Sequence, residues 1–167
     1  ALARARTVFY TPTVNGSLRE FRKEVSLLIS RVNSCIDQDI RARGAKPDRD
    51  AASIELLIID EAERLSTIAI EYARDLYDRT NIGLILVGMP GIEKRMARYP
   101  QLFSRVGFAH HYRALLNDEL SFVLTRHWRQ LGLTMDEADF TDSQAIAAIA
   151  RITGGNFRLL HRLFAQI

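Results

Sequence analysis

The sequence predicts an α/β fold: a parallel sheet with crossover helices, then an all-helical segment. Three observations predict it. Short apolar runs at Ile54–Ile59 and Ile82–Val87 alternate with stretches of helical periodicity, the order expected of β-α-β units. Each run is closed by a cluster that does not continue it, Asp60-Glu61 after the first and Gly88-Met89-Pro90-Gly91 after the second. Beyond about Leu115 only helical periodicity remains, which divides the chain into 1–115 and 116–167.

The elements follow in order. Thr7–Thr11 is β-branched and aromatic, is bounded by Pro12 and Asn15-Gly16, and reads as a strand. Ser17 and Glu20 have capping-box spacing. Leu18, Phe21, Val25, Leu28, Ile29 and Val32 continue at helical intervals and give a helix over 18–33. Cys35, Ile36 and Ile40 extend it if the helix bends. Residues 41–53 are polar, hold Gly44 and Pro47, and read as a loop. Ile54–Ile59 suits a strand buried on both faces of a parallel sheet. Ile68, Ile70, Ala73, Leu76 and Tyr77 mark a helix over 67–79, and Ile82–Val87 is a second buried strand. A short basic helix over 91–98 and a strand over Phe108–Tyr112 complete the α/β part. Helices over about 117–131, 142–152 and 156–166 finish the chain, the second with Thr141 and Gln144 as its capping box.

Composition removes several classes. With 167 residues, 47% hydrophobic and 26% charged, the chain has the balance of a globular protein rather than a disordered one. No run approaches the ~18 apolar residues of a membrane span, and Ala1–Arg6 is too short and too charged for a secretory signal. The lone Cys35 makes no internal disulfide, so a cytoplasmic setting is the default expectation. Of the 23 basic residues 20 are arginine, the better group for planar contact with phosphate or carboxylate. The net charge of +3 is too small to establish nucleic-acid binding.

The strongest chemical signal is Leu56-Leu57-Ile58-Ile59-Asp60-Glu61. A buried strand delivers two carboxylates to its carboxyl end, where open α/β sheets bind ligands. An aspartate there can hold Mg2+ through its water shell, and the adjacent glutamate can take a proton from an attacking water. The second buried strand ends in Gly88-Met89-Pro90-Gly91. Arg105 follows just before the next expected strand, and Gly154-Gly155-Asn156-Phe157-Arg158 opens the last helix. His110-His111 is a poor chelator, because adjacent strand residues face opposite ways. His127 and Trp128 read as partial core. No Ser-His-Asp arrangement stands out, and Cys35 has no partner pattern that would activate it.

In this order the chain resembles the AAA+ ATPases, and hence the P-loop NTPase fold: a three-layer parallel sheet followed by a helical lid. More narrowly, LLIIDEAERL, LILVGMPGIEKRM, YPQLFSRVGFAHHYRAL and TGGNFRLLHRLF look like the transposon-encoded transposition helper ATPases of the TniB type. The likeness runs over about residues 54–167, and more weakly over 7–33. It implies that Asp60 and Glu61 are the Walker B pair, with Asp60 at the metal and Glu61 acting on water. It implies that Met89 lies near the sensor-1 position, that Arg105 is the arginine finger supplied to a neighbouring subunit, and that Arg158 is sensor 2. ATP and Mg2+ are the implied cofactors. DNA, a transposase and further copies of the chain in a ring or filament are the implied partners. Arg19, Arg22, Lys23, Arg41, Arg43 and Lys46 are the DNA-binding candidates.

Two features depart from that family. No G-x-x-x-x-G-K-[ST] motif occurs, so the backbone cradle for phosphate and its lysine are missing. By resemblance the motif and its strand precede Ala1. The chain is then a fragment that begins at the second strand, expected to leave an apolar gap in the sheet and not to hydrolyse ATP alone. Met89 stands where relatives often carry Asn, Thr or Gln, and a thioether is a weak hydrogen-bonding group. Two other readings stay open: a non-catalytic AAA+-like scaffold, and a secretion-associated AAA+ ATPase. Arg105 also has a plain alternative, pairing with an acid on its own surface.

Overall fold

Three strands, β1 (Thr7–Tyr10), β2 (Leu56–Ile59) and β3 (Gly83–Leu86), lie side by side in chain order, all parallel. The computed structural model describes residues 6–46, 53–130, 132 and 139–166. It separates two units, Ala1–Ala109 and His110–Ile167.

In the first unit the register aligns Val8 with Leu57 and Leu84, and Tyr10 with Ile59 and Leu86. These residues share one face because strand side chains alternate. Val8, Tyr10, Leu57 and Ile59 are buried there against α1 (Leu18–Ala42) and α2 (Thr67–Arg79), which contribute Phe21, Val25, Ala69, Ile70 and Ala73 to the same core. Each large side chain so buried contributes about 1.5–3 kcal/mol. The aromatic rings chain across the layer: Tyr10 lies 5.4 Å from Phe21, and Phe21 lies 5.9 Å from Tyr72. Both crossovers step the same way along the sheet, and the right-handed rule then puts both helices on one face. The opposite face stays open, with Phe9 52% exposed and Ile85 and Val87 each 45% exposed. The described residues therefore form two layers, where three were expected.

The capping box of α1 forms as its spacing predicts. The Glu20 N–H donates to Ser17 Oγ at 3.2 Å, and the Ser17 N–H donates to Glu20 Oε2 at 2.8 Å. The Ser17 N–H foremost, and then the Ser17 hydroxyl, which donates to the same Oε2 at 3.2 Å, hold the Glu20 carboxyl below its ordinary value. The helix runs on to Ala42, so Arg41 is helical rather than in a loop. Ile36 is buried and anchors the extension, and no Gly or Pro intervenes before Gly44. Residues 47–52 of the expected loop lie outside the described residues. Strand β2 starts at Leu56, two residues later than expected, although Ile54 is buried and donates its N–H to Asn33 Oδ1 at 3.0 Å.

After β3 come α3 (Ile92–Ala97) and α4 (Pro100–Phe103), which send Met96 and Leu102 into the same core. The sequence reading missed α4; Pro100 at its first position is the signal that marks it. The strand expected over Phe108–Tyr112 is absent from the three-stranded sheet. Phe108 and Tyr112 are 82% and 87% exposed, so aromatic content alone does not make a buried strand.

The second unit contains α5 (Asn117–Gln130), α6 (Phe140–Thr153) and α7 (Phe157–Phe164). Leu120, Leu124 and Leu160 are its buried centre, flanked by Trp128, Ile146, Ile149 and Phe164. His127 stacks on Phe164 with ring centroids 3.8 Å apart. Asp139, not Thr141, caps α6: its Oδ1 accepts the Thr141 N–H at 2.7 Å. Thr141 is already inside the first turn. The Gly154-Gly155 turn is tied to the chain before α5, because the Leu115 N–H donates to the Gly155 carbonyl at 2.9 Å. Gly155 has φ +73, and a Cβ there would lie 2.2 Å from the Leu115 carbonyl oxygen.

Two outcomes follow. Gly155→Ala is expected to destabilise the second unit by more than the ~1–2 kcal/mol of a left-handed residue alone, because it also clashes with backbone. Trp128, the single tryptophan, reports this by fluorescence during urea unfolding. Burial of the Tyr10 ring, and then its hydrogen bond to Glu24, push its ionisation above the ordinary value. The contribution of Tyr10 to folded stability is therefore constant below about pH 10 and falls as pH rises past it, where the unfolded chain loses the proton first. Tyr10→Phe is expected to flatten that alkaline decline, measured by circular dichroism.

Candidate functional site

The site begins with the backbone at the end of β2. The Asp60 N–H donates to the Tyr10 carbonyl at 2.8 Å, and the Ala62 N–H donates to the Val87 carbonyl at 2.9 Å. Residue 61 must switch the backbone N–H from the β1 side to the β3 side between these two anchors, and Glu61 is left-handed, φ 51 and ψ 40. A short 3-10 turn over Ala62–Arg64 follows, then α2, with Ser66 Oγ accepting the Ala69 N–H at 3.2 Å. Asp60 Oδ1 accepts the Glu61 N–H at 2.9 Å. The Glu61 carboxylate pairs with the Arg64 guanidinium, and Arg64 Nη1 also donates to the Pro12 carbonyl at 3.2 Å.

The loop after β3 is joined to this turn. The Val87 N–H donates to the Ile59 carbonyl at 2.8 Å, which extends the ladder past β3. Glu63 Oε2 accepts the Met89 N–H at 3.2 Å. Gly88 lies against the same carboxylate; a Cβ there would stand 2.9 Å from Glu63 Oε2 and from Ile92 Cδ1. Arg95 reaches back from α3, donating from Nη1 to the Glu63 carbonyl at 2.9 Å and from Nη2 to the Leu65 carbonyl.

Asp60, Glu61 and Met89 thus meet at one edge of the sheet. The Met89 side chain is 65% exposed there. Arg105 does not join them. Its Nε donates to Asp78 Oδ1 at 2.9 Å, and Asp78 also pairs with Arg74 at 2.5 Å. Asp78 stands in the last turn of α2, which runs back from the carboxyl edge to the start of β3. Arg105 is therefore held toward the amino edge. Arg158 belongs to the second unit, on the first turn of α7; its N–H donates to Asn156 Oδ1 at 3.0 Å and its side chain is exposed.

The basic candidates fall into two groups rather than one. Arg19, Arg22 and Lys23 are exposed on the first turns of α1. Arg41, Arg43 and Lys46 lie at its other end, about 33 Å away along the axis. Arg22 lies over the Tyr72 ring at 4.7 Å, and Arg43 pairs with Asp39 at 3.6 Å. Among the described residues no three His, Cys, Asp or Glu side chains gather into a metal-binding group. No helix among them is long and apolar enough to cross a membrane.

Sequence reasoning missed Arg64, Glu63 and Arg95. Arg64 is detectable in principle, since three residues on from a carboxylate is the spacing of an ion pair on a helical turn. The other two act between elements distant in the chain and leave no local signal.

A parallel sheet whose central strand ends in adjacent carboxylates defines an α/β protein with a site at the strands' carboxyl ends. Residues 1–96 match the family model described as an AAA domain. A protein of Staphylococcus aureus named "Potential ATP-binding protein" is 52% identical over 114 residues, covering 68% of this chain and 42% of that protein. The chain spans less than half the length of this relative, and it belongs to the AAA domain family.

The join between the two loops is open to test. Arg95→Ala removes donors from two carbonyls of the turn and is expected to cost ~2 kcal/mol. Faster amide exchange confined to residues 62–65 and 88–89 checks it; uniform exchange would show that Arg95 does not hold this turn.

Proposed function

We propose that the intact protein binds ATP with Mg2+, hydrolyses it, and regulates DNA transposition by binding target DNA together with a transposase. The observation that carries the ATPase part is the edge of β2, where Asp60 and Glu61 stand beside the loop after β3 in a chain of the AAA domain family. Lone carboxylates suit Mg2+, which takes most of its ligands from water and phosphate. Asp60 fits as the residue that would hold it through water, and the ion would neutralise phosphate charge. Glu61 accepts a proton from water as the water oxygen attacks the γ-phosphorus; the bond to the bridging oxygen breaks and ADP leaves. Arg105 would serve a neighbouring copy, and Arg158, in a helical lid over 116–167, would face the nucleotide. Met89 would lie near the sensor-1 position.

In this reading 1–115 is a partial α/β core. The exposed row of Phe9, Ile85 and Val87 supports it, since an apolar sheet face calls for a covering layer. The narrower TniB-type assignment rests on the motif series.

In the full-length protein, Glu61→Gln is expected to lower turnover at least ~100-fold while ATP stays bound. Unchanged turnover overturns the catalytic assignment. For the transposition part, DNA affinity is measured against salt, with a steep negative slope expected. A protein that hydrolyses ATP and shows no such binding belongs with the secretion-associated reading. One observation favours a scaffold instead, the exposed thioether of Met89, and ATP binding without turnover by the intact protein would establish it.

A further inference from the structure

We propose that the outer face of α5 is a homodimer interface, on which a second copy of this chain packs its own α5 antiparallel. Asp118, Phe122, Thr125 and Arg129 form one stripe along this helix, spaced four, three and four residues apart. Leu120 and Leu124 point the other way, into the core of the second unit. Phe122 is 66% exposed, and Asp118 and Arg129 are exposed with it. An open hollow of about 720 Å3 lies along the stripe, its described lining drawn from α5 alone.

The stripe is complementary to itself. Its spacing is the same in both directions, so an antiparallel copy sets Asp118 against Arg129 and Phe122 against Thr125, twice over across the twofold axis. An acid meets a guanidinium at each end. In the middle a large ring meets a small side chain. Thr125 brings a methyl there, since its hydroxyl already donates to the Ser121 carbonyl at 2.8 Å. The end charges are free to pair. Neither Asp118 nor Arg129 has an ion pair among the described residues, whereas the neighbouring Glu119 is taken by Arg113 and by the Leu116 N–H. A parallel copy would set like charges together, which fixes the direction. With 14 residues α5 is about 21 Å long, and one helix face of that length covers less than the ~1,200–2,000 Å2 of a stable complex, so the dimer is a weak one.

The test is sedimentation equilibrium of the full-length protein from about 1 to about 300 µM, with thermal melting of each variant at the dilute end. Nucleotide is left out, so that the ATP-dependent assembly proposed above does not contribute. The wild type is expected to pass from monomer to dimer. Asp118→Arg and Arg129→Asp each set like charges together at both ends and are expected to weaken the dimer at least ~10-fold. Combined, they restore opposite charges and are expected to recover the wild-type affinity within about threefold. The double variant separates pairing between copies from a role within one helix, where acid at the start and base at the end suit the helix dipole. A role within one helix makes the double variant the worst of the three, and that result overturns the proposal. Phe122→Ser is expected to weaken the dimer while the dilute protein melts as the wild type does. A monomer throughout overturns the proposal and leaves the face to a partner of another sequence. A dimer that survives both single reversals, or one indifferent to Phe122→Ser, overturns it as well. If the reversals do not fold, Phe122→Ser decides; if that variant does not fold either, the ring belongs to the core and the proposal falls.

Discussion

The candidate site depends on the hydrogen-bond ladder at the carboxyl end of β2. Asp60 is bonded to β1 through the Tyr10 carbonyl, and Ala62 to the chain leaving β3 through the Val87 carbonyl. Only Glu61 lies between them, so one residue must turn the backbone N–H from one neighbouring strand to the other. A left-handed conformation does this at ~1–2 kcal/mol for a residue other than glycine. The ladder on both sides offsets that cost, because releasing the strain would leave backbone groups unpaired. Two carboxylates are thereby presented side by side on rigid backbone, and the following turn brings Arg64, Glu63 and Arg95 around them.

The same register decides what the sheet can bury. It stacks Val8, Leu57 and Leu84 toward the helices and Phe9, Ile58 and Ile85 away from them. Both rows are apolar, which is the signature of a strand set meant to be covered on both faces. Both crossovers deliver their helices to the first row. The second row is left with Phe9 and Ile85 exposed among the described residues. The site edge and the open face therefore share one cause, a parallel sheet whose two connections turn the same way.

Much of this was legible because it is local. The run LLII followed by Asp60-Glu61 showed both the strand and the edge it ends at, and Ser17 with Glu20 showed the start of α1. Helix α2 was equally clear, since its apolar spacing holds from end to end. The errors have physical sources. At Phe108–Tyr112 strand propensity was read from aromatic content, and the segment joins none of the three strands. At Thr141 the cap was read two residues too late, since Asp139 is the residue whose side chain accepts from the first turn. The three-layer expectation followed the family likeness, whereas the described chain supplies helices for one face. Within the site, Asp60, Glu61 and Met89 were found by position along strands. The links that hold them, Glu63 to Met89 and Arg95 to two carbonyls, join residues 26 to 32 positions apart and exist only once the fold brings two loops together.

Arg105 shows how the architecture constrains function even where no ligand is seen. Its partner Asp78 is in the last turn of α2, and α2 runs opposite to the strands. Arg105 is thereby held at the far end of the layer from its own Asp60 and Glu61. If this guanidinium stabilises charge on a phosphate, the phosphate must sit on another copy. To reach it, Arg105 must leave a carboxylate that keeps Arg74 as its second partner. Asp78 would then not be stranded when Arg105 departs, which lowers the cost of the exchange. The pair on the surface of one chain and the proposed contact between chains would in this way be two states of one arginine, separated by a weak, exposed ion pair.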